Sequence, residues 1–181
     1  EAYYAIPYGA ETAVKGEWLP GPGNDFFQKV RESFGKTIPI WAEDLGVITE
    51  EVEALRDDFH LPGMKVLQFA FDDPKDNDML PYRFTTSNCI CYTGTHDNPT
   101  TLGWYLALPE KIQDRIRRYL NTDGRMIHFD LIRAAMGSIA KYSIYPLQDL
   151  LGFGNDCRMN TPSVPSGNWA FRYRPEHLSI G

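Results

Sequence analysis

The chain has 181 residues, of which 43% are hydrophobic and 23% charged, and its net charge is −6. That length supports a domain with its own core, and the composition is ordinary for a globular protein. The acidic balance excludes nucleic acid or an anionic membrane surface as the main partner, and no apolar run approaches the roughly 20 residues of a membrane-spanning helix.

In chain order, residues 1–23 are rich in Gly, Pro and Tyr without a sustained period and are expected to form an extended surface segment or active-site loop. Asn24 is placed to cap a helix over residues 25–34, with Phe27, Val30 and Phe34 on one face and Gly35 as its stop. Ile38-Pro39-Ile40-Trp41 predicts a short buried strand that runs into Ala42-Glu43-Asp44-Leu45-Gly46. Thr49 is a candidate cap for the next helix, whose first turn holds Glu50 and Glu51 and whose stripe is Val52, Leu55 and Phe59. Residues 65–71 predict a second strand, followed by an acidic loop over residues 72–78. Residues 88–92 predict a third strand, which runs into Thr93-Gly94-Thr95-His96-Asp97-Asn98. Helices are expected over residues 101–106, 110–120 and 128–136, and a fourth strand over residues 142–147, where Pro146 fits only the strand's end. Arg115, Arg117 and Arg118 read as a solvated helix face, and the tail from Gly152 reads as loop.

Strands alternating with helices mark βαβ units and a parallel sheet. The fold class expected is α/β, with four strands making about half of an eight-stranded (β/α)8 barrel. With no initiating Met and no signal-peptide pattern at Glu1, residues 1–181 are expected to begin inside a larger protein and to form one partial barrel, its C-terminal half.

Barrel enzymes place their chemistry at the C-terminal ends of strands. Glu43 and Asp97 each follow such an end, and two carboxylates on one rim suit acid/base work on a polar substrate, sugars first. Partial desolvation by Trp41 would favour the protonated form of Glu43 that a general acid needs. His96 and Asn98 add donors beside Asp97. Asn168 and Trp169, in a turn-rich loop, suit amide hydrogen bonds and ring stacking on a sugar.

Other chemistries fit poorly. There is no Gly-x-Ser-x-Gly elbow for a serine hydrolase. The acidic run at residues 72–78 lacks the EF-hand glycine and terminal glutamate, and the four histidines lack zinc spacing. Gly152-Phe153-Gly154-Asn155 is no dinucleotide fingerprint. No cofactor or metal is expected. Cys89, Cys91 and Cys157 make no disulfide framework and fit a reducing, cytoplasmic compartment.

Taken together these stretches resemble the amylomaltases, also called 4-α-glucanotransferases or disproportionating enzymes (glycoside hydrolase family 77). The resemblance rests on Ala10-Glu11-Thr12-Ala13 with Gly16, Trp18 and Gly21-Pro22-Gly23, on Ala42 to Thr49, on Leu61 to Phe71, on Tyr92 to Asn98, and on Arg158 to Pro162 through Gly167-Asn168-Trp169. It covers nearly the whole chain. It implies a TIM barrel with loop insertions and retaining transfer of α-1,4-glucan segments to an acceptor sugar, so the expected partners are maltooligosaccharides and other α-1,4-glucans. Carried over, Glu43 is the acid/base and Asp97 the transition-state stabiliser. His96, Asp44 and Asp72 are glucan contacts, with Asn98, Asn168 and Trp169 as further binding residues. The family's nucleophilic Asp lies in an Arg-x-Asp-His-Phe-Arg-Gly type motif on an earlier strand, and these 181 residues contain no such motif. The stretch alone is therefore expected to be inactive and to self-associate through open sheet edges. The alternatives are a non-catalytic glucan-binding module and an α-glucan hydrolase.

Overall fold

The computed structural model describes residues 2–71 and 77–178. The chain divides into two compact units, Glu1–Met64 and Lys65–Gly181.

The first unit opens with a strand pair where the sequence predicted an extended surface segment or active-site loop. Strand β1 (Ala2–Ala5) runs antiparallel to β2 (Glu17–Pro20), with Tyr3 opposite Leu19 and Tyr4 opposite Trp18. Tyr4 meets Trp18 edge-on, with ring centroids 5.3 Å apart, which is the kind of cross-strand aromatic pair that stabilises a ladder. Most of the two strands is exposed. They therefore lack the apolar-polar alternation by which a half-buried strand is recognised.

Helix α1 (Gly23–Phe34) starts earlier than predicted. Pro22 stands at its cap position and Asn24 lies inside the first turn, so no side chain caps it. It stops at Gly35, whose φ of 83° suits only glycine and whose amide donates to the Arg31 carbonyl. Helix α2 (Glu50–Asp58) has Thr49 at its cap, but the Thr49 side chain makes no bond to the helix amides. The Thr49 carbonyl instead accepts from the Val52 and Glu53 amides, each at 3.1 Å. The Glu51 carboxyl is held below its usual range, first by its own backbone amide and then by the Thr49 hydroxyl. Phe27 and Val30 from α1, and Leu55 from α2, pack on a small core of Ile38, Phe59 and Leu61; Phe34, predicted on that face, is exposed.

Residues 38–41 form no strand, contrary to the sequence reading. Pro39 has no amide to give to a ladder, and just after the segment the Ala42 amide donates to the Pro62 carbonyl at 2.9 Å.

Strand β3 (Gly63–Val66) crosses the boundary into the second unit, whose sheet has the order β3-β4-β5. The predicted strand over residues 65–71 is thus cut short: Leu67–Phe71 turns into a 3₁₀ helix that is almost wholly buried. Strand β4 (Cys89–Tyr92) lies where predicted and pairs parallel with β5 (Tyr142–Ile144), Ile90 opposite Tyr142. Between them run α3 (Thr101–Ala107), α4 (Glu110–Leu120) and α5 (Ile127–Met136). A parallel pair needs such a long crossover. The predicted fourth strand ends early because Pro146 becomes the cap of a short helix, α6 (Leu147–Leu150). The fold class is α/β, with one antiparallel pair and one sheet containing a parallel pair.

The core of the second unit is Leu67, Ala70, Phe71 and Leu80 packed with Cys89 and Cys91 from β4, Ile116 from α4, and Ile127, Leu131 and Ala135 from α5. Cys89 and Cys91, two apart on a strand, share this face, and both are buried without a disulfide. The arginines of α4 are only partly a solvated face. Arg118 is exposed and pairs with Asp114, but Arg115 donates to the Phe71 carbonyl at 3.0 Å and Arg117 to the Tyr105 hydroxyl at 2.9 Å. The long stems let each head reach a partner while covering apolar surface.

Candidate active site

In the second unit β4 ends at Tyr92, Thr93 and Gly94 remain buried, and the chain turns through residues 94–100 into α3. Asn98 shapes that turn. Its Oδ1 accepts both the Thr95 amide and the Thr95 hydroxyl, each at 2.8 Å, and its own amide donates to the Thr95 carbonyl. Thr100 closes the turn by capping α3 through the Gly103 amide. From beneath, the Gln68 amide donates to the Thr93 carbonyl and its side-chain Nε2 to the Pro99 carbonyl, at 3.2 and 3.0 Å. Gly94 is where this support passes closest: a Cβ there would lie 2.5 Å from Gln68 Nε2. Only glycine fits without displacing the glutamine.

His96 and Asp97 stand exposed at the tip of the turn. A distant segment comes to meet them. Asn160 Nδ2 donates to Asp97 Oδ1 at 2.6 Å, and the Asn160 amide donates to the His96 carbonyl at 3.1 Å. Arg158 bridges the two segments, giving Nη2 to the Asp97 carbonyl at 2.6 Å and Nε to the Asn160 carbonyl at 2.8 Å. His96 Nε2 lies 3.3 Å from Asp97 Oδ1, and the Trp169 indole lies against the imidazole with centroids 5.2 Å apart and ring planes tilted by 35°. Trp169 holds a φ of 60°, rare for any residue other than glycine. Its amide is fixed to the Met159 carbonyl at 2.8 Å. A strained backbone that is over-determined by its neighbours is a mark of functional sites.

Of the residues predicted here, Asp97, His96 and Trp169 come together. Asn98 and Asn168 do not point at them. Asn98 is spent on its own turn. Asn168 holds the loop of residues 161–168, accepting the Thr161 amide at 2.9 Å and donating to the Val164 carbonyl at 2.8 Å. Asp72 lies outside the described residues.

In the first unit, Glu43 Oε1 accepts the Leu45 amide at 2.8 Å. The desolvation expected from Trp41 is not found: both residues are exposed. Asp44 is the buried member of the pair. Its Oδ2 takes Arg56 Nη1 at 2.6 Å and its Oδ1 takes the Met64 amide at 2.7 Å. A Cβ on Gly63 would overlap this carboxylate, so glycine there leaves room for Asp44. Both oxygens are engaged within the fold.

Arg158 and Asn160 carry no local sequence signal as site residues, since each reaches Asp97 across some sixty residues of chain (61 and 63). What the cluster can do is plain from its chemistry. An exposed carboxylate with one oxygen fixed by an amide, flanked by an imidazole and an indole, suits a polar ring that stacks, hydrogen-bonds and develops positive charge.

Residues 1–178 match the family described as 4-alpha-glucanotransferase, glycoside hydrolase family 77. The chain belongs to this family. It is 51% identical over 180 residues to the 4-alpha-glucanotransferase of Synechocystis sp. and 50% identical over 186 residues to that of Thermus thermophilus. Each comparison covers 99% of this chain but only 36% and 37% of the relative, so the chain spans little more than a third of their length. Among solved structures, an amylomaltase from Streptococcus agalactiae in complex with acarbose matches with a TM-score of 0.91 and 34% identity, over 98% of this chain and 36% of that one. The 4-alpha-glucanotransferase resemblance read from the sequence motifs is thereby established. No helix among the described residues is long and apolar enough to cross a membrane.

Proposed function

We propose that these residues are the part of a retaining 4-α-glucanotransferase that carries the acid/base and the transition-state stabiliser, within a (β/α)8 barrel completed by residues outside this stretch. The observation that carries the reading is family membership along nearly the whole chain, at about half identity, with Asp97 in the turn after a parallel strand, inside a polar and aromatic cluster. Substrates are α-1,4-glucans and maltooligosaccharides. A relative solved with acarbose supports that substrate class.

In this reading a carboxylate nucleophile supplied by other residues attacks C1 while Glu43 protonates the departing glycosidic oxygen. Asp97 opposes the positive charge that develops on the sugar ring, with His96 donating to the same ring and Trp169 offering a face to stack on. Glu43 then takes the proton of an acceptor hydroxyl as that oxygen bonds C1 and the enzyme carboxylate leaves. Retaining pairs stand about 5–5.5 Å apart, against roughly 6.5–9.5 Å for inverting ones. Three cysteines outside any disulfide fit a reducing compartment, and we assign the cytoplasm.

The test is product analysis with maltotriose on the full-length protein. Glucose together with longer maltooligosaccharides is the expected outcome, lost in Glu43→Gln with substrate binding retained. Hydrolysis without transfer would favour an α-glucan hydrolase, and binding unaccompanied by turnover a binding module. The 181 residues alone, lacking the nucleophile motif, should form no longer oligosaccharides. Sedimentation should show them self-associating, and a stable monomer would count against open sheet edges.

A further inference from the structure

One charged group in the second unit has no part in the chemistry above. Asp149 lies in the short helix α6 with 1% of its surface exposed. Its Oδ2 accepts the Thr93 hydroxyl at 2.6 Å and the Thr101 hydroxyl at 2.7 Å, and its Oδ1 accepts the Thr101 amide at 2.7 Å. Both threonines are fully buried. All three donors are neutral, and removing a carboxylate from water is costly, so a hydrophobic residue of similar size would serve packing alone at lower cost.

The position of the donors supplies the reason. Thr93 is the residue after β4 and Thr101 is the first residue of α3. Between them run residues 94–100, which carry His96 and Asp97. One carboxylate therefore grips both ends of the turn from below, while Gln68 holds it at Thr93 and Pro99. The upper contacts from Asn160 and Arg158 lie on the exposed side of the turn, where water competes for the same groups. The buried contacts are the ones that can fix the base of the turn.

We propose that Asp149 is a positioning residue that sets the placement of Asp97 by clamping Thr93 and Thr101 at the two ends of the turn. This rests on the reading of Asp97 as the transition-state stabiliser. A tilt of the turn moves Asp97 away from charge that exists only in the transition state. The loss should therefore appear in kcat and kcat/KM together, with KM little changed.

The experiment is a double-mutant cycle in the full-length enzyme, with maltotriose disproportionation followed by chromatography over long incubations. Asp149→Asn keeps the volume and can still accept the Thr101 amide. Thr93→Val, nearly isosteric, removes one donor and guards against a fold defect in the first variant. We expect about a tenfold fall in kcat for Asp149→Asn and about threefold for Thr93→Val, with KM within twofold and the thermal midpoint near wild type for Thr93→Val. In an Asp97→Asn background both effects should shrink to less than twofold, because a positioning residue has nothing left to position. If both variants lower kcat by the same factor in either background, or leave it unchanged in wild type, the clamp does not act through Asp97 and the proposal is overturned while the stabiliser stands. If Asp97→Asn itself retains wild-type kcat, the stabiliser reading fails and the proposal falls with it.

Discussion

Replacing Asp44 by Ala should loosen the base of the Glu43 segment by an amount the geometry bounds. The Asp44 side chain is only 8% exposed, against 21% for Arg56, so the pair is shielded from water. Breaking a fully buried pair costs about 3–5 kcal/mol because it strands a charge. Here Arg56 is not stranded: its Nε also holds Asp57 at 2.8 Å, and Asp57 is the first cause, ahead of Asp44, of the upward shift in the Arg56 pKa. What remains is one charge-assisted hydrogen bond and a Met64 amide that loses its acceptor, together about 2 kcal/mol. At 1.4 kcal/mol per decade that is a ~30-fold change in a local opening equilibrium. Hydrogen exchange resolved to the Met64 amide reads it directly, and Asp44→Ala should exchange ~30-fold faster at that site. Asp57→Ala, which removes an exposed partner, should cost less than about 1 kcal/mol. The reasoning is refuted if Met64 exchanges within threefold of wild type in Asp44→Ala, or if Asp57→Ala does as much damage.

Gly94→Ala should cost about 1–3 kcal/mol by overpacking against Gln68 and breaking its bond to Pro99, seen as a lower urea midpoint. Burial pushes the Cys91 thiol up to about 12, so at pH 8 a thiol reagent should label Cys157 well before Cys91, with Cys91 reacting only after denaturation. Burial lowers the pKa of His128 from its ordinary 6.5, against the opposing pull of Asp149 and Asp130. Between those two values the unfolded chain binds a proton that the folded one does not. Stability should then be full above about pH 6.5 and fall as the pH drops below it. Urea midpoints across pH 5 to 8 should show this, with a smaller drop in His128→Gln.

The parts of the fold that could be read from the sequence were those where local pattern and burial agree. Helix α4 was predicted at its observed limits because Ile112, Ile116 and Tyr119 repeat at helical spacing and all turn inward. Strand β4 was predicted because Cys89, Ile90 and Cys91 are buried together. Prediction failed where a ladder depends on partners that spacing cannot name. Residues 38–41 have the right side chains for a strand, but Pro39 lacks the amide a ladder needs and no strand forms there. The β1–β2 pair has a ladder with most of its side chains exposed, so no alternation announces it.

The site divides along the same line. Asp97 and His96 were legible because a polar triplet after a buried run is a local signal. Asn160, Arg158 and Asp149 were not, although each binds that triplet or its ends. Asp149 is the sharpest case: in sequence it is an unremarked acid in Leu147-Gln148-Asp149-Leu150, forty-eight residues from Thr101 and fifty-six from Thr93. Hydrogen-bonding capacity is a property of a residue type, but satisfaction is a property of three-dimensional placement. A buried carboxylate must be satisfied, so its donors show which loop it serves. Candidate site acids can thus be sought after strand ends, whereas buried acids beneath a turn are found by asking where their donors lie.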